Sequence, residues 1–261
     1  MFGRVFLAAA PFLTLSVALE APAPSTTRYR IESKTEQVVD LSKMGQGSQT
    51  NAFTQVAFIT VRLKDTTGGQ VVQAVIDSVS TDAPLPDPGS VQKAKGVWLR
   101  GRVDAWGRTT ILSTSADSVD LVGQIKNSLA RFFPVIKPGA KQGDAWVDTS
   151  RVDTKNAQQA IKTTTVTTYN HAGAATRDGQ SVSRITAASA TSGAGTMENP
   201  MAGTMEVEIS DTGTETFFVA ADGRYLGGES KSEGNSLVRT PMAPDPIPVK
   251  ITRVSSVTIV K

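Results

Sequence analysis

The chain holds one histidine, His171, and no cysteine. Thiol catalysis, disulfide exchange and thiolate metal sites are excluded for these residues, and zinc sites usually draw on several Cys and His ligands. His171 stands in Thr168-Tyr169-Asn170-His171-Ala172-Gly173, at the end of an extended segment. A catalytic base needs a nucleophile or an orienting partner beside it. The G-x-S-x-G elbow of common hydrolases is missing, so His171 reads as an ordinary strand-end residue. Asp148 with Asp153, and Glu206 with Glu208, are the carboxylate pairs of a type that cleaves glycosides, but separation and environment decide such chemistry. Glu206 and Glu208 fall on the polar phase of an alternating strand, where solvated charges belong. The segment Asp82-Ala83-Pro84-Leu85-Pro86-Asp87 lacks the spacing of a calcium loop, and Asp222-Gly223 reads as a hairpin turn. The expectation is a non-enzymatic protein with no catalytic residue, cofactor or metal; a carboxylate-dependent envelope hydrolase is the second alternative.

Two groups of residues have the chemistry of binding. Trp98, Arg100, Arg102 and Trp106 share one phase of a strand. They could form a stacking platform for a partner, or make ordinary cation–π and snorkelling contacts on a sheet. Export and a net charge of only +3, with no run of five like charges, count against nucleic acid. Phe53, Phe58, Ile76, Leu129, Phe132, Phe133 and Trp146 could line a cavity for an apolar, lipid-like ligand, or fill a core.

The elements that must position these residues are mostly strands. Thr and Val, stiff and β-branched, are abundant, and the 22 Gly and 13 Pro fall at turn-like places. Strands are expected over 29–41, 53–65, 70–79, 96–106, 158–169, 181–190, 204–210, 215–220 and 249–260. Residues 53–65 and 70–79 carry apolar groups on both faces, so the second face is covered or lines a cavity. Turns are expected at Asp65–Gly69, Arg177-Asp178-Gly179-Gln180, Asp211-Thr212-Gly213 and Asp222-Gly223. Residues 42–51, 82–90 and 241–248 read as loops, 192–202 as a flexible Gly/Ala/Met stretch, and 227–235 as polar. One helix is expected over 117–133, where Leu121, Ile125, Leu129 and Phe132/Phe133 repeat at helical steps and Pro134 ends the run. The fold class is mainly β: a large curved antiparallel sheet, or two sheets, with one central amphipathic helix packed on a concave face.

At the N-terminus, Arg4, an apolar run over 5–15 and Ser16-Val17-Ala18 have the grammar of a secretory signal peptide. The rival reading, a membrane anchor, needs about 20 apolar residues, and Pro11 and Glu20 interrupt the run. The expected organisation is a signal peptide at 1–18, a Pro-rich leader at 19–27 and a β-rich domain at 28–261, with two halves of similar plan at 28–133 and 144–261. The halves would be either a duplication or two meanders that look alike. No later stretch of the sequence is long and apolar enough to span a membrane, and the location implied is periplasmic or secreted.

The helix ending in Phe132-Phe133-Pro134, the Pro138-Gly139 turn and Gly143-Asp144-Ala145-Trp146 together resemble a group of exported bacterial β-rich proteins of unknown function. There a signal peptide precedes long strands, a central helix, an F-P…G-D-x-W segment and a second strand series. The plan is also similar to periplasmic lipoprotein carriers, whose curved sheet cups helices over an apolar cavity, although the lipoprotein Cys is absent here. The resemblance implies a fold and a compartment, and no catalytic residues. The function it favours is an exported protein binding an apolar ligand or a protein partner in the cell envelope; the alternative is a structural or assembly subunit of an envelope complex.

Overall fold

The computed structural model describes residues 24–260 except 68, 86, 88, 117–118, 156–158 and 200–202; the expected signal segment lies outside the described residues. Eleven strands follow in chain order: β1 (Ser25–Asp40), β2 (Ser48–Thr66), β3 (Gly69–Thr81), β4 (Trp98–Val103), β5 (Thr109–Thr114), β6 (Ala145–Lys155), β7 (Gln159–Arg177), β8 (Gln180–Asn199), β9 (Gly203–Val219), β10 (Tyr225–Arg239) and β11 (Ile247–Ile259). Two helices, α1 (Ser90–Ala94) and α2 (Asp120–Leu129), precede β4 and β6. All strands belong to one antiparallel sheet in the order β5-β4-β3-β2-β1-β11-β10-β9-β8-β7-β6. The mainly β, curved-sheet expectation is met, by a single sheet. β1–β5 and β6–β11 are each paired in chain order, and the two series meet where β1 pairs with β11, from Tyr29 opposite Ile259 to Val39 opposite Val249.

Period-2 patterning builds the core. Along β2, Ala57, Ile59, Val61 and Leu63 are buried while Phe58, Thr60, Arg62 and Lys64 face the other way. Val72, Ala74 and Ile76 on β3 and Leu99 and Val103 on β4 continue that inner face through the register. Ile59, Ile76, Leu99 and Ile185 have no exposed surface, and each such burial stabilises by roughly 1.5–3 kcal/mol. Helix α2 lays Leu121, Val122, Ile125 and Leu129 on the same core. It stops short of the expected residue 133. Arg131 N–H bonds to Ser128 O and Phe132 N–H to Leu129 O, tightening the chain to i→i−3 bonds before Phe133, which precedes Pro134 and is disfavoured in a helix. Phe132 and Phe133 thereby turn into the core.

Several local expectations give way to the ladder. Residues 211–213 form no turn: Asp211, Thr212 and Gly213 run straight through β9, bonded to β8 on one side and β10 on the other. Pairing on both sides outweighs turn propensity. For the same reason residues 192–199 are strand, not flexible, and 227–235 lie inside β10. β1 starts at Ser25, inside the expected leader, because Ser25–Thr27 pair with Leu63–Val61. The short helix α1 and the edge strands β5 and β6 are additions to the sequence reading. The expected turn at 177–180 is present: Arg177 pairs with Gln180, and Asp178 and Gly179 take φ of +48° and +77°, the two left-handed positions of a tight hairpin.

The sheet rolls without closing. β5 and β6 are its two edges, and the segment before β6 bridges them at one end. Ile136 N–H donates to Trp106 O at 2.6 Å on the β5 side, and Trp146 Nε1 of β6 donates to Val135 O at 3.0 Å. Arg108, just before β5, reaches Asp148 of β6 at 2.7 Å.

Candidate ligand-binding face

The inner face changes character along the strands, as the register shows. At one end lies an aromatic core: Trp146 stacks on Tyr169 (5.7 Å, 8°), Tyr169 approaches Phe217, and Phe217 meets Tyr225, which packs with Tyr29 and Phe132. Tyr29 Oη donates to Tyr225 O at 2.8 Å. Burial pushes the phenols of Tyr29, Tyr169 and Tyr225 above their ordinary range, so all three stay neutral.

The next three rows are polar. Ala187, Glu215, Ser230, Ser255, Ser33 and Gln55 stand opposite one another in turn from β8 to β2. The row beyond contains Ser189, Gly213, Ser232, Arg253 and Thr35, and the third contains Thr165, Thr191 and Asp211. Arg131, beyond the end of α2, donates from Nη2 to Thr165 Oγ1 at 2.6 Å, and Thr165 and Thr191 share a hydroxyl bond of 2.8 Å. Burial holds the Glu215 carboxyl above its usual range, opposed by the charge of Arg131. Asp211 is raised in the same way, against a bond from Ser232 and the charges of Arg253 and Arg131. Past this band the face turns apolar again. Ile209, Val207 and Met205 on β9 share a side with Val249 on β11, Val238 on β10 and Met197 on β8. The inner face is thus apolar core, polar band, apolar rim.

The residues expected to line an apolar cavity separate. Ile76, Leu129, Phe132, Phe133 and Trp146 are together, packed within the core. Phe53 is on the inner face opposite Thr35, in the polar half, and borders a shallow depression of about 370 Å³ with Lys34, Ala52 and Val254. Phe58 is on the outer face beneath the Arg28 guanidinium, 5.3 Å from its ring centre. Of the expected partner face, Trp98, Arg100 and Arg102 are exposed on the outside of β4. Trp106 leaves that face, because the chain turns after Val103; it packs against the core under Arg108 at 4.8 Å.

The carboxylate pairs do not converge. Asp148 and Asp153 are on opposite faces of β6, and Asp153 lies near Lys162. Glu206 and Glu208 are both on the outer face, Glu208 bonded to Arg239. Asp82 accepts from the Thr54 N–H, and Asp87 from Gly89 and Lys93. His171 is not a strand end: it is buried within β7 beside a bulge, its backbone bonded to Asp144 O and to Gly143 N–H.

Arg131, Asp211 and Glu215 were not singled out by sequence reasoning. The signal was present: Met205, Val207, Ile209, Asp211, Gly213, Glu215, Phe217 and Val219 keep one phase, so two carboxylates share a face with apolar neighbours. A turn placed at 211–213 broke that phase.

No family model matches the chain, and no curated protein matches it. Among solved structures, DynF from the dynemicin biosynthesis pathway of Micromonospora chersina aligns at TM-score 0.26 and 12% identity, over 100% of this chain and 94% of that one. A triple mutant of the Rhodopseudomonas blastica porin aligns at TM-score 0.29 and 10% identity, over 90% and 100%. A BenF-like porin from Pseudomonas fluorescens Pf-5 aligns at TM-score 0.23 and 7% identity, over 90% and 99%. Likeness this low assigns the chain neither a shared fold nor a function.

Proposed function

We propose that the protein is a non-enzymatic, exported binding protein of the cell envelope that holds an amphiphile on its inner face. The observation that carries this reading is the order of the bands. An apolar rim precedes a polar band, and the band contains two carboxylates, Asp211 and Glu215, that burial holds above their usual titration range. A ligand with a hydrogen-bonding head and an apolar tail would match both, the head meeting Glu215, Asp211 and the hydroxyls of Thr165, Thr191 and Ser232. The tail would lie over Val207, Ile209 and Val249. This refines a purely apolar cargo, since the aromatic residues are spent on one another. Among the described residues no helix is long and apolar enough to cross a membrane. The outer face carries Arg30, Glu32, Lys34 and Glu36 at the middle of the sheet, where a barrel embedded in lipid would present an apolar band.

Native mass spectrometry of the protein purified gently from its own host tests the reading. The expected result is a lipid-sized adduct, removed by denaturation and diminished in Glu215→Lys with the fold intact. A clean apo mass in both would overturn it.

A further inference from the structure

On the outer face, away from the band just described, the β5 end of the sheet combines a free edge with unpaired positive charge. β5 bonds to β4 from Thr109 to Thr114. Among the described residues no backbone hydrogen bond runs from these residues to the 130–144 segment or to β6. Its outward side chain Leu112 is 63% exposed, and Trp98 on the outer face of β4 is 38% exposed. A bulge between Arg100 and Gly101 sets Leu112 there as the extra residue of β5. An exposed edge with a large apolar side chain is what soluble sheets ordinarily avoid.

Arg100 and Arg102 flank the spot, opposite Ser113 and Thr110. These partners are small, so either guanidinium can lean across β5. Behind them, through Gln73 and Val71 of β3, stand Arg62 and Lys64 of β2 on the same face. Among the described residues none of these four cations has a carboxylate in ion-pair reach.

We infer that β5 is a docking edge for an acidic, extended segment of a partner protein, which adds to the sheet as a further strand. Main-chain bonds to β5 would supply affinity and alternate side chains the selectivity. Side chains on one face of a strand repeat about every 6.6 Å, the spacing at which Arg100 and Arg102 project. Acidic residues at alternate positions would therefore meet both, with an apolar residue covering Leu112. Arg62 and Lys64 add to the positive field that steers the segment in.

The test uses the full chain and a labelled ten-residue peptide alternating glutamate with valine or threonine, a lysine-for-glutamate counterpart, and heparin as a polyanion without a strand backbone. The glutamate peptide is expected to bind saturably and to slow amide exchange within 109–114. Arg100→Glu with Arg102→Glu should weaken it tenfold or more and transfer preference to the lysine peptide. Leu112→Lys should weaken it at least threefold. All three side chains are exposed, so the unfolding midpoint should be unchanged. Equal binding by the charge-reversed protein, or heparin binding as tightly with no slowing within 109–114 by either probe, would overturn the inference. The host-derived adduct on the inner face should survive the charge reversal, which separates this proposal from the ligand reading.

Discussion

Trp146 shows how much one side chain can fix in this fold. Its indole N–H satisfies Val135 O in the segment that spans the gap, while its ring stacks on Tyr169 in the neighbouring strand. Trp146→Phe keeps an aromatic ring but leaves a buried carbonyl without its donor, which costs about 1–3 kcal/mol, and removes ring volume besides. Urea unfolding should report a loss of about 3 kcal/mol at unchanged slope. A loss below about 1 kcal/mol would mean that water reaches the carbonyl. Glu215 behaves in the opposite sense, as a group that folding disfavours when charged. Burial raises its native titration above that of the unfolded chain, where a glutamate titrates at about 4.3. Between those two points the native state binds more protons than the unfolded one, so stability falls as pH rises through the window. The contribution is complete below the unfolded value and lost above the native one. Glu215→Gln should therefore be more stable than the parent at pH 7.5 and indistinguishable from it near pH 3.5. Equal differences at both pH values would sink the burial account.

At the scale of elements, close backbone approach replaces side-chain packing at the sheet's thin end. A Cβ built on Gly101 of β4 would stand 2.2 Å from Thr110 O and 3.0 Å from Ile111 Cα, both main-chain atoms of β5 that cannot swing aside. Gly101→Ala should push β5 off its register at a cost of about 1–3 kcal/mol. Faster amide exchange confined to 109–114, with β7 to β9 unchanged, is the result expected; unaltered exchange there would show that β5 is held by α2 instead. The sequence made the long strands legible wherever apolar residues alternate without interruption, as in 53–65 and 70–79, and α2 wherever they recur at helical steps. It hid β10 and the far half of β8, whose polar, glycine-rich strands owe their state to neighbours on both sides. It also hid the polar band, because Asp211, Thr212 and Gly213 have turn chemistry and Glu215 declares its burial only once β9 is read as one strand. The outer Trp98, Arg100 and Arg102 were readable from β4 by itself. Leu112 was not, since β5 itself was not expected as a strand.

Across the whole molecule, the sheet is firm at one end and lightly supported at the other. The segment between β5 and β6 and the Arg108–Asp148 contact tie the edges only beside the aromatic core. On β8, Val182, Ile185 and Ala187 are buried, and no described residue beyond them on that strand is. Local opening is easiest where buried apolar contact is sparse, and β8 is laddered on both sides from Ser183 to Met197. Exchange protection should then fall along a single strand, from near-global values at 182–187, through the polar band at 189–191, to the fastest exchange at 193–197. A ligand seated on the band would raise protection at 189–197 while leaving 182–187 unchanged, because the core end already opens only with global unfolding. Comparison of the host-purified protein with the same protein refolded from denaturant reads both effects by exchange mass spectrometry. Uniform protection along β8 in the refolded protein would mean that the far end is covered by something other than a ligand. That outcome would remove the open rim on which binding depends.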